Sequence, residues 1–412
     1  MRDRILLCKP KMCGREIDFI KDALAEDWAV PMGPDVTAFE HELADFTGSP
    51  FAVALDSGTA AIHLALLTLG VGLGNEVMVQ SFTFCASTNP VRYCGATPVF
   101  VDSEPLGWNM DPDLLEEAIK DRIAKTGRKP KAIIPVALYG MPNQIDRILE
   151  IADRYGIPVL EDAAEGFGSR FDGQMLGTFG TMGILSFNGN KMITTSGGGA
   201  VLCKDEATKR HISWLATQAR EGYPYYQHET IGYNYRLSNI SACIGRAQLS
   251  VADDHIAHHR HVQALYRELL KDVEGITLHE NPSERYDSNF WLCTVTLDPA
   301  LKVKGQENAY AETLKGAVGG AAGVVHAAAT PHTDCEPNAN VEAMRLALDA
   351  ANIESRPLWK PMHRQPVYAD CPAYTNDVSE SFFAVGMCLP AGPYVTDDDV
   401  RYIVNTIKAN II

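Results

Sequence analysis

The first 250 residues alternate short, continuously apolar runs with segments of helical periodicity. A strand that is buried on both faces of a parallel sheet is continuously apolar, whereas a strand with one exposed face alternates. We therefore predict an α/β domain around a mostly parallel sheet. The predicted strands are FAVAL (51–55), VMVQ (77–80), PVFVD (98–102), AIIPVAL (132–138), IPVLED (157–162), MGILSF (182–187) and AVLC (200–203).

One upstream helix and a change of pattern near residue 250 complete the predicted architecture. The stretch VTAFEHELADFTG, which begins at Val36, places its apolar side chains on one helical face. Beyond residue 250, the helical stretch HIAHHRHVQALYRELLKDV leads into weaker strand signals. We predict two domains, a large one over 1–250 and a smaller one over 251–412. The histidines of that stretch are typical of a solvated helix face.

Two features of the C-terminal part are predicted to be irregular. Residues 315–330, KGAVGGAAGVVHAAAT, are low in complexity, which is typical of an insertion. The nearby His332, Asp334, Cys335 and Glu336 lack the spacing of metal ligands. We therefore expect a loop there and no metal site.

Composition and charge exclude some classes of function. The chain has 412 residues and a net charge of −16, which disfavours binding to nucleic acid. No apolar run approaches the roughly 18 residues of a membrane span, and the apolar stretch at the N-terminus is too short for a signal peptide. Ten cysteines occur without CxxC pairs, as in proteins of reducing compartments. We expect a cytoplasmic protein that binds neither nucleic acid nor membrane.

Lys191 is the one charged residue between Gly173 and Cys203, in a chain whose charged residues make up 21%. Ionisable side chains are rarely buried without a partner. The lysine either extends its ammonium to the surface or serves a reaction that needs its neutral amine. Desolvation favours that neutral, nucleophilic form. The second interpretation predicts a lysine that attacks a carbonyl group.

Two further motifs fit a phosphate and a ring nitrogen. In DSGTAAIHLAL, which begins at Asp56, a Ser-Gly-Thr turn opens an apolar helix, and amides at a helix N-terminus bind phosphate. Many other strand-to-helix turns look alike. In VLEDAAEGFG, Asp162 closes a buried strand. It either caps the next helix or pairs with a cationic ring nitrogen.

A phosphate site, a carboxylate for a ring nitrogen and an isolated lysine are together the three groups that hold pyridoxal 5'-phosphate (PLP). The lysine forms a Schiff base with the aldehyde of PLP. The carboxylate keeps the pyridine nitrogen protonated, so that the ring accepts electrons. The three motifs predict PLP as the cofactor.

Seven motifs follow one another along the chain: SGTAA, SFTF, EDAAE, SFNGNK, TTSGGG, TQARE and GYNYRLSN. Their order resembles that of the DegT/DnrJ/EryC1/StrS family of sugar-nucleotide aminotransferases. The resemblance runs from about residue 6 to the C-terminus and is weakest across 300–345. It implies a PLP-dependent type I aminotransferase fold, with a large domain around a mostly parallel seven-stranded sheet and a smaller C-terminal α+β domain.

Matched motif by motif, the resemblance implies roles for single residues. Lys191 would be the Schiff-base lysine and Asp162 the partner of the pyridine nitrogen. Phe84 would stack on the ring, and Glu165, where many relatives have histidine or glutamine, would contact the cofactor. The remaining assignments are a phosphate site at Gly58, Thr59 and Ser186, a phosphate contact from Asn234 of the neighbouring subunit, and a substrate contact at Arg236.

The late segment RPLWKPMHRQPVY is basic and aromatic. Its Arg356, Trp359, Lys360 and His363 suit the pyrophosphate and the flat base of a nucleotide. The alternative is the ordinary packing of a loop between domains.

The resemblance also suggests a substrate. SFNGNK, TTSGGG and RPLWKPMH are most similar to the enzymes that aminate UDP-4-keto-6-deoxy-N-acetylglucosamine on the way to bacillosamine. This implies a homodimer with shared active sites that transfers an amino group from glutamate to C4 of UDP-2-acetamido-4-keto-2,6-dideoxyhexose, for bacterial glycan biosynthesis. GDP- or dTDP-linked ketosugars are alternative substrates.

Two other classes of protein share this scaffold. In PLP-dependent sugar dehydratases, histidine replaces the lysine, so Lys191 argues against that activity. A non-catalytic regulator would call for an eroded site or an appended DNA-binding domain, and the sequence has neither.

Overall fold

The computed structural model describes residues 2–310 and 335–412. The predicted insertion at 315–330 lies outside these residues, as do His332 and Asp334. Within the described residues, no group of three or more His, Cys, Asp or Glu side chains is arranged so that it could hold a metal ion. Among the helices of that same part of the chain, none combines the length and the apolar character that crossing a membrane requires.

Strands and helices alternate through the first half of the chain. In the described residues the strands are β1 (Phe51–Leu55), β2 (Glu76–Gln80), β3 (Thr97–Val101), β4 (Ala132–Ile134), β5 (Leu160–Asp162), β6 (Arg170–Phe171), β7 (Gln174–Met175), β8 (Met182–Ser186), β9 (Gly199–Cys203), β10 (Ile276–Leu278), β11 (Tyr286–Asp287), β12 (Cys293–Leu297), β13 (Arg356–Pro357), β14 (Ala373–Tyr374) and β15 (Gly386–Leu389). The helices of the described residues are α1 (Glu16–Ala25), α2 (Pro34–Thr47), α3 (Gly58–Thr68), α4 (Asn89–Tyr93), α5 (Pro112–Thr126), α6 (Ile145–Tyr155), α7 (Glu206–Ala216), α8 (Asn239–Leu249), α9 (Ala252–Leu270), α10 (Ala339–Ala350), α11 (Val378–Val385) and α12 (Asp397–Asn410).

The large sheet has the order β3-β2-β4-β5-β8-β9-β1, with the short β14 added beside β3. All of these strands are parallel except β9, which is antiparallel to both of its neighbours. The predicted fold class is therefore confirmed. β4 ends at Ile134, earlier than predicted, because Pro135 has no backbone N–H to continue the ladder.

Helices cover both faces of this sheet. Along β1, Ala52 and Ala54 pack into one core cluster, and Val53 and Leu55 into another, since successive side chains of a strand point to opposite faces. Residues of α2, α5 and α6 complete the first cluster, and residues of α3 and α7 complete the second. Burial on both faces is the reason that the strands are continuously apolar.

The chain beyond β9 builds a smaller antiparallel sheet, in the order β10-β12-β15-β13. Residues of α9, α10 and α12 pack with it in a third core cluster. The domain division at residue 250 stays a prediction. Two segments pack with the part of the chain on the other side of this division. Ile5 of the N-terminal segment joins the third cluster, and β14 joins the large sheet.

The prediction that the histidines of α9 form a solvated face is wrong. His255 and His259 are buried, and His258 is half-buried. Nδ1 of His255 lies 3.2 Å from the carbonyl oxygen of Met192, next to Lys191. α9 thus packs against the loop that carries the lysine through His255, and against the backbone of Phe290 through His259, whose Nδ1 lies 3.2 Å from the carbonyl oxygen of Phe290.

Candidate active site

A cavity of about 350 Å³ opens at the carboxyl ends of the parallel strands, which is where ligands of open α/β sheets bind. β1, β2, β5 and β8 each end at this cavity, so residues that are distant in sequence meet there. The predicted cofactor residues that line it are Gly58, Thr59, Phe84, Asp162, Glu165, Ser186 and Lys191.

The predicted phosphate site is the N-terminus of α3. Ser57 caps this helix by accepting a hydrogen bond from the amide of Ala60, at 3.1 Å. The amides of Gly58 and Thr59 occupy the first helical positions, where backbone donors have no partner within the helix. A Cβ atom at Gly58 would lie 3.1 Å from the Cβ of Ser186. The missing side chain therefore lets the helix start close to the Ser186 hydroxyl, which gives an anion site with both amide and hydroxyl donors.

Asp162 lies at the end of β5 and is almost completely buried. Its Oδ2 accepts a hydrogen bond of 2.6 Å from Ser87 Oγ, and its Oδ1 accepts one of 3.1 Å from the amide of Ala164. Burial raises the pKa of Asp162, and these donors and the charge of Lys191 oppose the rise. A cationic ring nitrogen beside this carboxylate would offset the cost of its burial.

Lys191 is isolated along the sequence but not in space. Its Nζ lies 3.0 Å from Oε1 of Glu165 and 4.2 Å from the ring centroid of Trp291. The other oxygen of Glu165 accepts a hydrogen bond of 2.8 Å from the amide of Tyr139. Burial raises the pKa of Glu165, and the charge of Lys191 opposes this. The lysine therefore does not reach the surface; its head group points into the cavity between a carboxylate and an indole.

A second, outer cavity of about 870 Å³ adjoins the first. Arg356, Trp359 and Lys360, three of the four residues predicted from RPLWKPMH, line it. Phe84 lies 5.3 Å from Trp359 between ring centroids and contributes to both cavities. Arg356 already pairs with Glu354, at 3.0 Å. The two cavities share the wall residues Phe84, Asn190, Trp291 and Trp359, so the basic and aromatic rim lies next to the cavity of the lysine.

Three of the predicted residues lie outside the walls of these two cavities. His363 is held between Ser81 Oγ, 2.6 Å from its Nδ1, and Glu380 Oε1, 2.9 Å from its Nε2. Arg236 pairs with the buried carboxylate of Glu40. Asn234 is exposed on the surface.

The cavity also contains residues that the sequence analysis did not single out. Ser87 and Trp291 contact the two predicted catalytic side chains directly. Ser87 lies three residues beyond Phe84, so the SFTF motif itself marks its position. For Trp291, which comes from the distant segment before β12, the sequence carries no comparable signal.

Comparison with known proteins identifies the family. The model of the DegT/DnrJ/EryC1/StrS aminotransferase family matches residues 10–326 and 306–408. This chain belongs to that family. EpsN of Bacillus subtilis (strain 168), described as a pyridoxal phosphate-dependent aminotransferase, is 42% identical over 99% of this chain and 96% of its own length.

Other family members match over similar lengths. The GDP-perosamine synthase of Caulobacter vibrioides is 33% identical over 99% of both chains. The PLP form of Spr1654 from Streptococcus pneumoniae, described as a sugar aminotransferase, superposes with a TM-score of 0.82 at 25% identity and covers 98% of both chains.

As a member of the DegT/DnrJ/EryC1/StrS family, the chain is a PLP-dependent sugar-nucleotide aminotransferase. Its cavity fits this cofactor. The N-terminus of α3 and Ser186 form an anion site, and Asp162 is a buried carboxylate whose hydrogen-bond donors, Ser87 and the amide of Ala164, are uncharged. Lys191 supplies an amine inside the same cavity. The donor set matches the phosphate, the ring nitrogen and the aldehyde of PLP.

Proposed function

We propose that this protein transfers an amino group from glutamate to C4 of a nucleotide-linked 4-keto-6-deoxy sugar, UDP-2-acetamido-4-keto-2,6-dideoxyhexose. The observation that carries the proposal is the shared cavity of Lys191, Asp162 and the N-terminus of α3. The products are 2-oxoglutarate and the 4-amino sugar. Bound PLP supplies the electron sink for the carbanion of each half-reaction.

Each residue of the cavity has a proposed task. Lys191 Nζ would attach the cofactor, and its amine, once released, would act as the base that moves the proton at the reacting carbon. Glu165 fixes the lysine head group through the 3.0 Å ion pair. Asp162 keeps the pyridine nitrogen protonated, and Ser87 orients the carboxylate through the 2.6 Å hydrogen bond. Phe84 covers one face of the ring.

The outer cavity is the proposed site of the nucleotide sugar. Its rim carries the cationic Lys360 and Arg356, which suit a pyrophosphate, and the indole of Trp359 suits a sugar or a base. The contact of Arg356 with Glu354 is half-exposed, so the guanidinium is able to exchange this partner for phosphate. His363 is proposed to hold this segment in place without contacting the substrate. Its ring bridges Ser81 and Glu380.

We propose a homodimer with shared sites as the active unit. Asn234 is exposed and lies outside the walls of its own chain's two cavities. It is therefore available to reach a phosphate in the neighbouring subunit. Arg236 pairs with Glu40 and anchors the end of the segment between α7 and α8 that carries Asn234.

A second candidate substrate is a GDP-linked 4-keto-6-deoxy sugar. GDP-perosamine synthases of Caulobacter vibrioides and Escherichia coli O157:H7 are 33% and 31% identical to this chain, over 99% and 97% of it. This likeness extends over nearly the whole chain, and so it includes the segments that line the outer cavity.

The test is to incubate the purified protein with PLP, glutamate and matched UDP-, GDP- and dTDP-linked 4-keto-6-deoxy sugars. We expect amination of the UDP-linked 2-acetamido sugar with the highest kcat/KM. We also expect ping-pong kinetics, with 2-oxoglutarate released from glutamate before any sugar is added. Preference for the GDP- or dTDP-linked sugar would overturn the proposed substrate, and failure with every ketosugar would overturn the activity. Lys191→Ala is the inactive control.

A further inference from the structure

Trp291, like Glu165, contacts the head group of Lys191. Its indole face lies 4.2 Å below Nζ of Lys191, and its Nε1 donates a hydrogen bond of 2.7 Å to the carbonyl oxygen of Asn190. The side chain is thus fixed to the backbone just before the lysine, while its ring supports the lysine head group. Trp291 is 2% exposed. A desolvated ammonium over an indole face is attracted to the negative face of the ring.

Asn289 holds both partners of the lysine in place. Its Nδ2 donates to the carbonyl oxygens of Glu165, at 2.8 Å, and Phe167, at 2.9 Å. Its Oδ1 accepts a hydrogen bond of 2.8 Å from the amide of Trp291. Asn289 is fully buried, and Gly140 packs so closely that a Cβ atom there would lie 1.9 Å from Oδ1. One amide side chain therefore connects the loop of Glu165 to the backbone of Trp291.

Phe290, which lies between Asn289 and Trp291, has a strained backbone. Its φ is 48°, in the left-handed region that a residue with a Cβ atom rarely adopts. Residues persist in such conformations where the surrounding contacts determine them, and they concentrate at functional sites. The strained turn directs the indole of Trp291 under Lys191.

We propose that Trp291, set in place by Asn289, is a positioning residue that holds Nζ of Lys191 in line for attachment of PLP. This rests on the proposed function, in which Lys191 is the attachment site. Within the described residues, the titratable groups that act on Lys191 are Glu165 and Asp162 from the loop after β5 and Cys8 from the N-terminal segment. Trp291 adds an uncharged contact to this set.

The experiment measures how fast the full-length apoprotein forms the absorbance of lysine-bound cofactor after PLP is added at a fixed pH. A misplaced Nζ slows this attachment, whereas the phosphate and ring contacts that hold PLP remain. We expect Trp291→Leu to slow attachment by about tenfold and Trp291→Phe, which keeps an aromatic ring, to slow it by less. Asn289→Ala should also slow attachment. In the Lys191→Ala background, Trp291→Leu should leave the affinity for PLP unchanged.

Trp28→Leu is the matched control, because Trp28 is exposed and lies outside the walls of both cavities. It should leave the attachment rate unchanged. An unchanged attachment rate in folded Trp291→Leu would overturn the inference. So would a rise in the KM for the ketosugar with the attachment rate unchanged, which would make Trp291 a substrate contact. Peptide mapping of borohydride-reduced wild-type protein checks Lys191 separately, so a failure of the proposed function is distinguishable.

Discussion

Ser87 Oγ lies 2.6 Å from Oδ2 of Asp162 and donates a hydrogen bond to it. Thr83 Oγ1 in turn lies 2.8 Å from the Ser87 hydroxyl. The turn after β2 therefore orients the carboxylate at the end of β5, and two of the predicted motifs, SFTF and EDAAE, meet through this contact. The position of Asp162 depends on a residue from the turn after β2, and not only on the amide of Ala164 in its own loop.

Replacement of Asp162 by asparagine should preserve PLP binding but slow turnover. Asparagine keeps the shape and accepts the Ser87 hydrogen bond, but it cannot hold a pyridine nitrogen protonated. We expect a loss of at least about 100-fold in kcat, or about 2.7 kcal/mol in the barrier. Steady-state kinetics with glutamate and the preferred ketosugar measure it. Near-normal activity would show that the aspartate only stabilises the turn at Ala164.

Ser87→Ala should have a smaller effect in the same direction. The variant removes one hydrogen bond to a buried carboxylate, so we expect a loss of about tenfold in kcat, or about 1.4 kcal/mol. Ser283→Ala changes an exposed serine and should leave the rate unaltered. If Ser87→Ala matched this control, the orientation of Asp162 would not depend on Ser87.

Borohydride reduction should fix the pyridoxyl group on Lys191. Its Nζ points into the cavity beside Glu165, and peptide mapping by mass spectrometry identifies the labelled residue. Lys191→Ala should still bind PLP through the phosphate site, yet lose turnover. Lys120→Ala, at a largely exposed lysine of α5, is the control and should retain both label and activity. A label on another lysine contradicts the assignment.

Mixed dimers should regain activity from two inactive parents. Lys191→Ala lacks the attachment amine, and Asn234→Ala lacks the proposed contact with the neighbouring subunit's phosphate. In a hybrid dimer one site contains both intact residues, so subunit exchange should restore about a quarter of the wild-type activity if pairing is random. Activity is measured after exchange is verified with differently tagged subunits. No recovery despite exchange would place Asn234 outside the partner's site.

The buried His259 should make the protein less stable in acid. Burial lowers the pKa of His259 to about 3, whereas the ring of an unfolded chain takes up a proton below about pH 6.5. Its contribution to stability is therefore complete above about pH 6.5 and is lost as the pH falls towards about 3. The free energy of unfolding should drop by up to about 1.4 kcal/mol per pH unit from this group.

Urea unfolding at about pH 7 and about pH 5 measures this dependence. His259→Gln keeps a donor for the carbonyl oxygen of Phe290, which lies 3.2 Å from Nδ1, but does not titrate. Its stability should depend less steeply on pH than that of the wild type. His41→Gln, at an exposed position, should retain the wild-type slope. Equal slopes in all three proteins would contradict the prediction.

The sequence by itself determined the sheet and the set of groups around the cofactor. Continuously apolar runs predict strands that are buried on both faces, and β1 shows why, since Val53 and Leu55 face one core and Ala52 and Ala54 the other. Motifs at the ends of parallel strands converge at one edge of a sheet. Because Gly58, Asp162 and Lys191 each lie at or after the end of a predicted strand, the sequence predicts that they meet in one site.

Only the tertiary structure decided which groups surround each of these residues. Lys191 has no charged neighbour in sequence, yet Glu165 and Trp291 contact its head group. The sequence does not indicate that Arg236 pairs with Glu40. It predicts a solvated face for the histidines of α9, but packing buries His255 and His259. Periodicity reports which face of an element is covered, because that depends on local spacing. Which side chain covers it depends on how distant segments pack, and local spacing does not contain that information.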